Sequence, residues 1–281
     1  MLGIDLCKEL AQDCGIYGID IAHSPQSTVH SFEKGDITDK DNIAGIVNRI
    51  RPDVVIHAAA MTNVDECELD RDKAYKINFL GVKNVALACK ASDAVLIYIS
   101  TDFVFDGKSK TPYKETDACG PLSVYGDSKL KGEEAVREEL QKYFILRTSW
   151  LYGEYGKNFV DTIIAKAKTE KVLKVVNDQV GSPTYTKDLS RAIHALLGKI
   201  EVQDSGVYHV SNSGSTSWYE YAKEILRLAA IKTEVKAISS QDLNRPARRP
   251  AMSVMDSSKF SEFTGYKFRD WKEALKEYIC K

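Results

Sequence analysis

Tyr125 and Lys129 stand four residues apart in the run Tyr-Gly-Asp-Ser-Lys. On a helix that spacing sets both side chains on one face, one turn apart. A phenol with an ordinary pKa near ~10 is a poor proton donor at neutral pH. An ammonium beside it favours the phenolate and brings the group closer to its working range. Upstream, the apolar run Val95–Thr101 ends in Ser100-Thr101-Asp102, where a hydroxyl could hydrogen-bond a carbonyl oxygen. Together these groups form equipment for reducing a ketone with a nicotinamide. A Tyr/Lys pair alone is weak in a chain with 14 tyrosines; its place after an apolar strand makes it far more specific. The plain alternative is a Tyr and a Lys on the solvated face of an amphipathic helix.

The elements that would position these groups are legible in the hydrophobic pattern. Strand-like runs at Ile16–Asp20, Asp53–Ala60, Val95–Thr101 and Tyr143–Trp150 alternate with helical ones at Ile4–Cys14, Asp39–Ile50, Asp72–Ala91 and Val124–Leu140. The run Asp53-Val-Val-Ile-His-Ala-Ala-Ala60 reads as a strand buried on both faces. Such alternation predicts an α/β fold, a Rossmann-like doubly wound parallel sheet. Beyond about Tyr152 the pattern loosens, with strands at Val172–Val176 and Gly206–Ser211 and a Ser-capped helix at Ser217–Ala229. The expected division is a dinucleotide-binding domain over 1–152 and a smaller mixed α/β substrate lobe over 153–281. Part of the chain near 186–212 is expected to return to the first domain.

Composition narrows the classes. A length of 281 residues allows one large or two coupled domains with a sizeable core. A net charge of −1 gives no reason to propose nucleic acid or a membrane surface as partner. No apolar run approaches the roughly 20 residues of a membrane span, and no secretion signal is recognisable at the N-terminus. The six cysteines are scattered, without a CxxC or a paired histidine, which suggests reduced thiols in a cytoplasmic protein. The five histidines have no ligand spacing, so no metal ligand is assigned; His57 and His209 read as sheet residues.

With these residues in view, the chain resembles the extended short-chain dehydrogenase/reductase superfamily, and within it the dTDP-4-dehydrorhamnose reductases. The resemblance rests on Asp36-Ile-Thr-Asp39, Arg51–Thr62, Ser100–Gly107, Tyr125–Lys129, Leu146–Gly153, Gly156–Phe159, Asp178–Thr184 and Arg245–Pro250. These segments cover nearly the whole chain in family order. One departure stands out. The family opens with a strand and a G-x-x-G-x-x-G turn that cradles the cofactor pyrophosphate at a helix N-terminus. Here Met1-Leu2-Gly3 resembles only the end of that turn, and the strand before it is absent. Because that strand is central in a doubly wound sheet, two strands should lack a neighbour. The reading frame could begin upstream of Met1, or the chain could be a shortened form with weakened cofactor binding.

The resemblance implies roles residue by residue. Tyr125 would donate a proton to the carbonyl oxygen, Lys129 would tune it and hold the nicotinamide ribose, and Thr101 would orient the ketone. The cofactor, NADPH or NADH, would meet Gly3, Asp20, Asp36, Ile37, Ala58, Ala59, Ala60, Thr62, Ser100, Tyr125 and Lys129. An acid such as Asp20 at the end of the second strand accepts from a ribose hydroxyl and leans toward NADH. His23 and Lys34 are weaker candidates in the loop beyond, and Asn78 is expected to face the site from the long helix. The dTDP-sugar would meet Thr101, Asp102, Trp150, Asn158, Arg248 and Arg249, with arginine forks suited to phosphate oxygens. Some family members are reported as magnesium-dependent dimers. A homodimer is therefore an expectation, and Asp5 and Asp188 are placed where a metal could sit. The implied activity is reduction of the 4-keto group of a dTDP-6-deoxyhexose. Alternatives from neighbouring classes are a regulatory subunit resembling that of methionine adenosyltransferase, or another nucleotide-sugar reductase or epimerase.

Overall fold

The computed structural model describes residues 1–22 and 29–280. Its first half runs α1 (Leu2–Leu10), β1 (Tyr17–Asp20), β2 (Ser31–Lys34), α2 (Lys40–Ile50), β3 (Val54–His57), α3 (Val64–Leu69), α4 (Arg71–Tyr75), α5 (Val82–Ser92), β4 (Val95–Thr101), α6 (Val124–Glu139) and β5 (Tyr143–Thr148). The second half runs β6 (Leu151–Tyr152), α7 (Phe159–Ala167), β7 (Val172–Val176), β8 (Val180–Gly181), β9 (Thr184–Tyr185), α8 (Thr186–Leu197), β10 (Gly206–His209), β11 (Thr216–Ser217), α9 (Trp218–Leu228), β12 (Glu234–Ile238), α10 (Ser258–Thr264) and α11 (Trp271–Ile279). The expected elements occur with ends shifted by a few residues, and the caps explain several of the ends. Asp39 caps α2 through the Asn42 amide, and Arg51 closes that helix in the left-handed region at φ 50°. Ser123 caps α6 and Ser217 caps α9, each accepting from an amide three residues on.

The long helix expected from Asp72 is interrupted. Lys76–Gly81 forms a π turn between α4 and α5. Such turns displace the helical ladder locally and recur at functional sites. Here the turn carries the buried Asn78 toward the site.

The central sheet is parallel, in the order β10-β5-β4-β3. α1 and α8 pack together over one face, where Leu2, Leu6 and Leu10 meet Ile97, Phe144, Leu189 and Ile193. α2, α5 and α6 cover the other, where Ile43, Val82 and Val136 meet Leu96, Tyr98 and Ile145. Helices on both faces of a parallel sheet are the doubly wound arrangement. β10 and α8, from the second half of the chain, thus join the core of the first. A second core sets Tyr152, Tyr185, Tyr221 and Trp271 among aliphatic residues such as Val160 and Ile225, between α7, α9, α11 and the β7–β12 pair.

β1 pairs only with β2, and β3 only with β4, among the described residues. This corrects one expectation. Val54–Ile56 are half-buried rather than buried, and Ala58 and Ala59 are exposed, because one edge of β3 carries no sheet neighbour there. Ile19 of β1 and Val55 of β3 still pack against the same helix-covered core.

Candidate active site

The reacting groups gather where β4 ends and α6 begins. Ser123 Oγ accepts from the Gly126 amide at 3.3 Å, and Glu68 of α3 accepts from the Val124 amide at 2.9 Å, so the first turn of α6 is held at both sides. Two glycines let this helix come close. A Cβ on Gly126 would lie 2.2 Å from the Phe103 carbonyl, and one on Gly132 would lie 2.5 Å from the Tyr98 hydroxyl and 2.6 Å from the Asn78 carbonyl. Neither approach leaves space for a side chain. Asn78 ties the same corner together. Its amide bridges both backbone groups of Met61, at 2.8 and 3.0 Å, and donates to Ser128 Oγ at 3.1 Å.

Tyr125 is half-buried, with its ring edge-to-face against Phe103 at 5.5 Å. Burial raises its phenol above the ordinary tyrosine range; a side-chain hydrogen bond with Thr101 opposes this, while Asp102 and Cys67 add to the rise. Lys129 is buried. Its Nζ donates to the Ile99 carbonyl at 2.7 Å and sits 4.2 Å from the centre of the Tyr98 ring. Burial pulls its ammonium down to about 7, opposed by Glu133. The sequence reading therefore needs correction: Lys129 does not lower the phenol in this arrangement, because its ammonium is turned to a backbone carbonyl and desolvation outweighs it.

Thr101 Oγ1 accepts from the Phe103 amide at 3.2 Å and donates to Asp102 Oδ1 at 3.1 Å. Asp102 is buried, and its Oδ2 lacks a hydrogen bond of normal geometry. Burial lifts this carboxyl to about 7, against the pull of Ser253, Thr101 and nearby backbone amides. An acid with a free oxygen beside a hydroxyl and a phenol is suited to accept from a polar ligand. Ser253 comes from a segment that crosses back from the second half: the Met252 amide donates to the Gly107 carbonyl at 3.3 Å and the Val180 amide to the Ala251 carbonyl at 2.8 Å. The pattern around Arg245–Pro250 could have flagged this return but not its endpoint at Asp102.

Other expected contacts fall into two groups. Some are open. Asp20 ends β1 exposed, in register with Lys34 across the β1–β2 ladder. Ala58, Ala59 and Thr62 are exposed beyond β3, and Ala60 is half-buried. Gly3 lies in the first turn of α1 with open space where a Cβ would point. Small exposed residues after a strand and a helix N-terminus without a side-chain cap fit close approach of a dinucleotide. Asp36 is exposed and accepts from the Thr38 amide at 2.8 Å, which draws its carboxyl down. Ile37 packs against Gly81, and its carbonyl accepts from Asn84 at 2.9 Å. His23 lies outside the described residues.

The others are already engaged. Ser100 donates to Glu133 at 2.6 Å, inside the fold, so its hydroxyl proton is already committed. Asn158 caps α7 through the Asp161 amide at 2.9 Å and donates to the Gly153 carbonyl at 2.9 Å, a scaffold role in place of the expected diphosphate contact. Arg249 pairs with Asp65 at 2.8 Å and Arg245 reaches the same carboxylate at 3.6 Å, whereas Arg248 is exposed. Trp150 stands in the left-handed region at φ 47°, its ring stacked on Trp218 at 3.5 Å and pressed on Gly181. A bulky residue there is strained, which marks the turn as a place where geometry is enforced. Trp218 escaped the sequence reading because it opens a helix far along the chain and only the fold brings it beside Trp150.

Asp5 and Asp188 do not make a cation site. Asp5 accepts from Thr186, and Asp188 is bound by Asn212 and by Arg269, each at 2.8 Å. No cluster of three potential metal ligands occurs among the described residues. No helix is long and apolar enough to cross a membrane among the described residues.

A family model, RmlD substrate binding domain, matches residues 1–281. The chain belongs to this family. It is 40% identical over 278 residues to the spore coat polysaccharide biosynthesis protein SpsK of Bacillus subtilis (strain 168), covering 99% of this chain and 93% of that protein. The crystal structure of a dTDP-4-dehydrorhamnose reductase from Clostridium acetobutylicum aligns with TM-score 0.89 and 40% identity, over 99% of this chain and 95% of that one. The dTDP-4-dehydrorhamnose reductase of Bacillus anthracis, solved in complex with NADP, aligns with TM-score 0.88 and 39% identity, over 99% and 96%. The α/β architecture and the family expectation agree with these likenesses.

Proposed function

We propose that this chain reduces the 4-keto group of dTDP-4-dehydro-L-rhamnose to dTDP-L-rhamnose, using NADPH or NADH. The observation that carries the reading is the meeting of Thr101, Tyr125 and Lys129 at one corner of a doubly wound sheet, in a chain of this family. When bound, the nicotinamide supplies the hydride that adds to the sugar C4. The Tyr125 hydroxyl gives its proton to the ketone oxygen, which becomes the new hydroxyl, and the resulting phenolate recovers a proton from solvent between turnovers. Thr101 orients the ketone oxygen. Lys129, one turn from Tyr125 and held at the Ile99 carbonyl, would bind the nicotinamide ribose. Asp102 Oδ2 accepts from a sugar hydroxyl, Trp150 packs against the deoxyhexose, and Arg248 meets the diphosphate. Gly3, Asp20, Asp36, Ile37, Ala58, Ala59, Ala60 and Thr62 flank the rest of the dinucleotide. In the same reading 1–152 forms the dinucleotide-binding part and 153–281 the substrate lobe. A homodimer, implied by the family resemblance, and a cytoplasmic location, in keeping with the scattered free cysteines, belong to the reading as well and are open to test by sedimentation and fractionation.

The test is oxidation of NADPH and of NADH by the purified chain with dTDP-4-dehydro-L-rhamnose. Turnover that yields dTDP-L-rhamnose supports the reading. A soluble, folded chain that binds NADPH yet leaves the sugar unreduced contradicts it.

A further inference from the structure

Glu133 lies one turn beyond Lys129 on α6 and is fully buried. Its carboxylate receives four donors. Oε1 accepts from Ser100 Oγ at 2.6 Å and Arg147 Nε at 2.9 Å; Oε2 accepts from Arg147 Nη2 at 2.8 Å and Arg137 Nη2 at 2.7 Å. Arg147 is buried too, on β5, directly opposite Ser100 in the β4–β5 ladder, with its guanidinium 5.1 Å from the Phe105 ring. A buried ion pair is costly to desolvate, and an apolar pair of similar size is often as stable. Stability alone therefore gives a poor account of it.

Its placement gives a better one. Ser100 sits between Ile99, whose carbonyl holds the Lys129 ammonium, and Thr101, the hydroxyl beside Tyr125. A clamp on Ser100 therefore fixes both partners of the reacting pair at once. Resting on the proposed reduction, we propose that Glu133 is a positioning residue: with Arg147 it locks α6 to the end of β4 so that Thr101, Tyr125 and Lys129 meet in one register. The groups around Lys129 are Tyr98 and the Ile99 carbonyl from β4, Glu133 one turn along α6, and, beyond Tyr98, the buried His57 from β3. Arg147 of β5 stands behind Glu133. His57 is stacked on Tyr98 and held neutral by burial, so Glu133 is the group that favours the charged lysine.

The test uses the full chain and two variants. In Glu133→Gln the neutral amide keeps hydrogen-bonding capacity but loses the charge. Its kcat should fall on the order of 10-fold to 100-fold with KM for the sugar nearly unchanged, the pattern of lost positioning in the transition state. The decline of kcat as pH rises through the Lys129 titration should also move to lower pH, because the group that favours the ammonium is gone. Glu133→Asp keeps the charge and shortens the reach; kcat should fall while that limb stays where the wild-type chain has it. A titration of Lys129 by NMR of carbon-labelled lysine, assigned with Lys129→Arg, reads the same shift without turnover. It separates failure of this inference from failure of the proposed reduction, and it applies to Glu133→Asp even if the glutamine variant does not fold. A Lys129 titration that is the same in the wild-type chain and in Glu133→Gln, or wild-type kcat in either variant, overturns the proposal.

Discussion

Two ends of the proposed dinucleotide site are built differently. At the β4–α6 corner every element is locked: Ser123 and Glu68 hold the start of α6, Asn78 bridges Met61 and Ser128, and Gly126 and Gly132 admit backbone contacts too close for any side chain. At the other end, past β1 and β3, Asp20, Ala58, Ala59 and Thr62 are exposed, and β1 and β3 pair on one side only among the described residues. Chemistry needs placement within a fraction of an ångström, whereas holding an adenosine needs mainly surface. The difference locates the precision of the molecule at the corner, so substitutions there should cost more than substitutions at the edge.

After loss of the Tyr125 phenol itself, the largest effect is expected from Lys129→Met. Removing the ammonium should lower kcat by roughly 10²-fold or more, in the range of lost acid–base function, measured by steady-state turnover. A variant within about threefold of the wild-type chain would break the contrast. Next is Gly126→Ala. Its methyl would meet the Phe103 carbonyl at 2.2 Å, and the corner must shift to admit it. Overpacking of this kind costs about 1–3 kcal/mol, which should lower Tm by several degrees in thermal unfolding. Gly3→Ala, where open space surrounds the position, should leave Tm unchanged or slightly raised.

A smaller effect separates the two ends by pH. The Asp102 carboxyl keeps its proton up to about 7 in the fold, whereas an unfolded aspartate loses it near ~4. Between those values the folded chain binds the extra proton, so this group's contribution to stability falls as pH rises through the window. His57 and His209, pushed down to about 3 by burial, act with the opposite sign between about 3 and 6.5. Comparing Asp102→Asn with the wild-type chain isolates the acid. Their Tm difference should move in favour of the variant from pH 4 to 7. A constant difference would show that the Asp102 carboxyl is not raised. The smallest effect is expected at the edge: Asp20→Ala should shift the NADH-to-NADPH preference by on the order of tenfold or less and leave Tm unchanged, because the side chain is exposed.

How much of this the sequence revealed follows the same division. Spacing exposed the Tyr125/Lys129 pair, the Thr101 hydroxyl and the parallel strands that carry them, because period and position encode local structure. It also led to the expectation of two strands paired on one side only, as β1 and β3 are among the described residues. It did not show the internal partners of groups whose surroundings depend on packing. Ser100 and Asn158 carry polar side chains in the right segments, yet the fold engages both internally, with Glu133 and with the start of α7. Arg249 reads as a phosphate ligand until α3 brings Asp65 against it. The orientation of Lys129 toward Ile99 was equally hidden, since a four-residue spacing places two side chains on one face without saying where each points. Nothing in the sequence pattern singles out Glu133; only the approach of β4 and β5 makes it the centre of a buried network.

The most direct measurement of the central claim is kcat for sugar reduction by Tyr125→Phe, with NADPH affinity of the same variant followed by fluorescence. The account predicts a loss of about 10²–10⁴-fold in kcat with cofactor binding close to that of the wild-type chain, because the phenol is needed for its proton. Near-normal kcat in a variant that still binds NADPH would place the proton donor elsewhere and contradict the account.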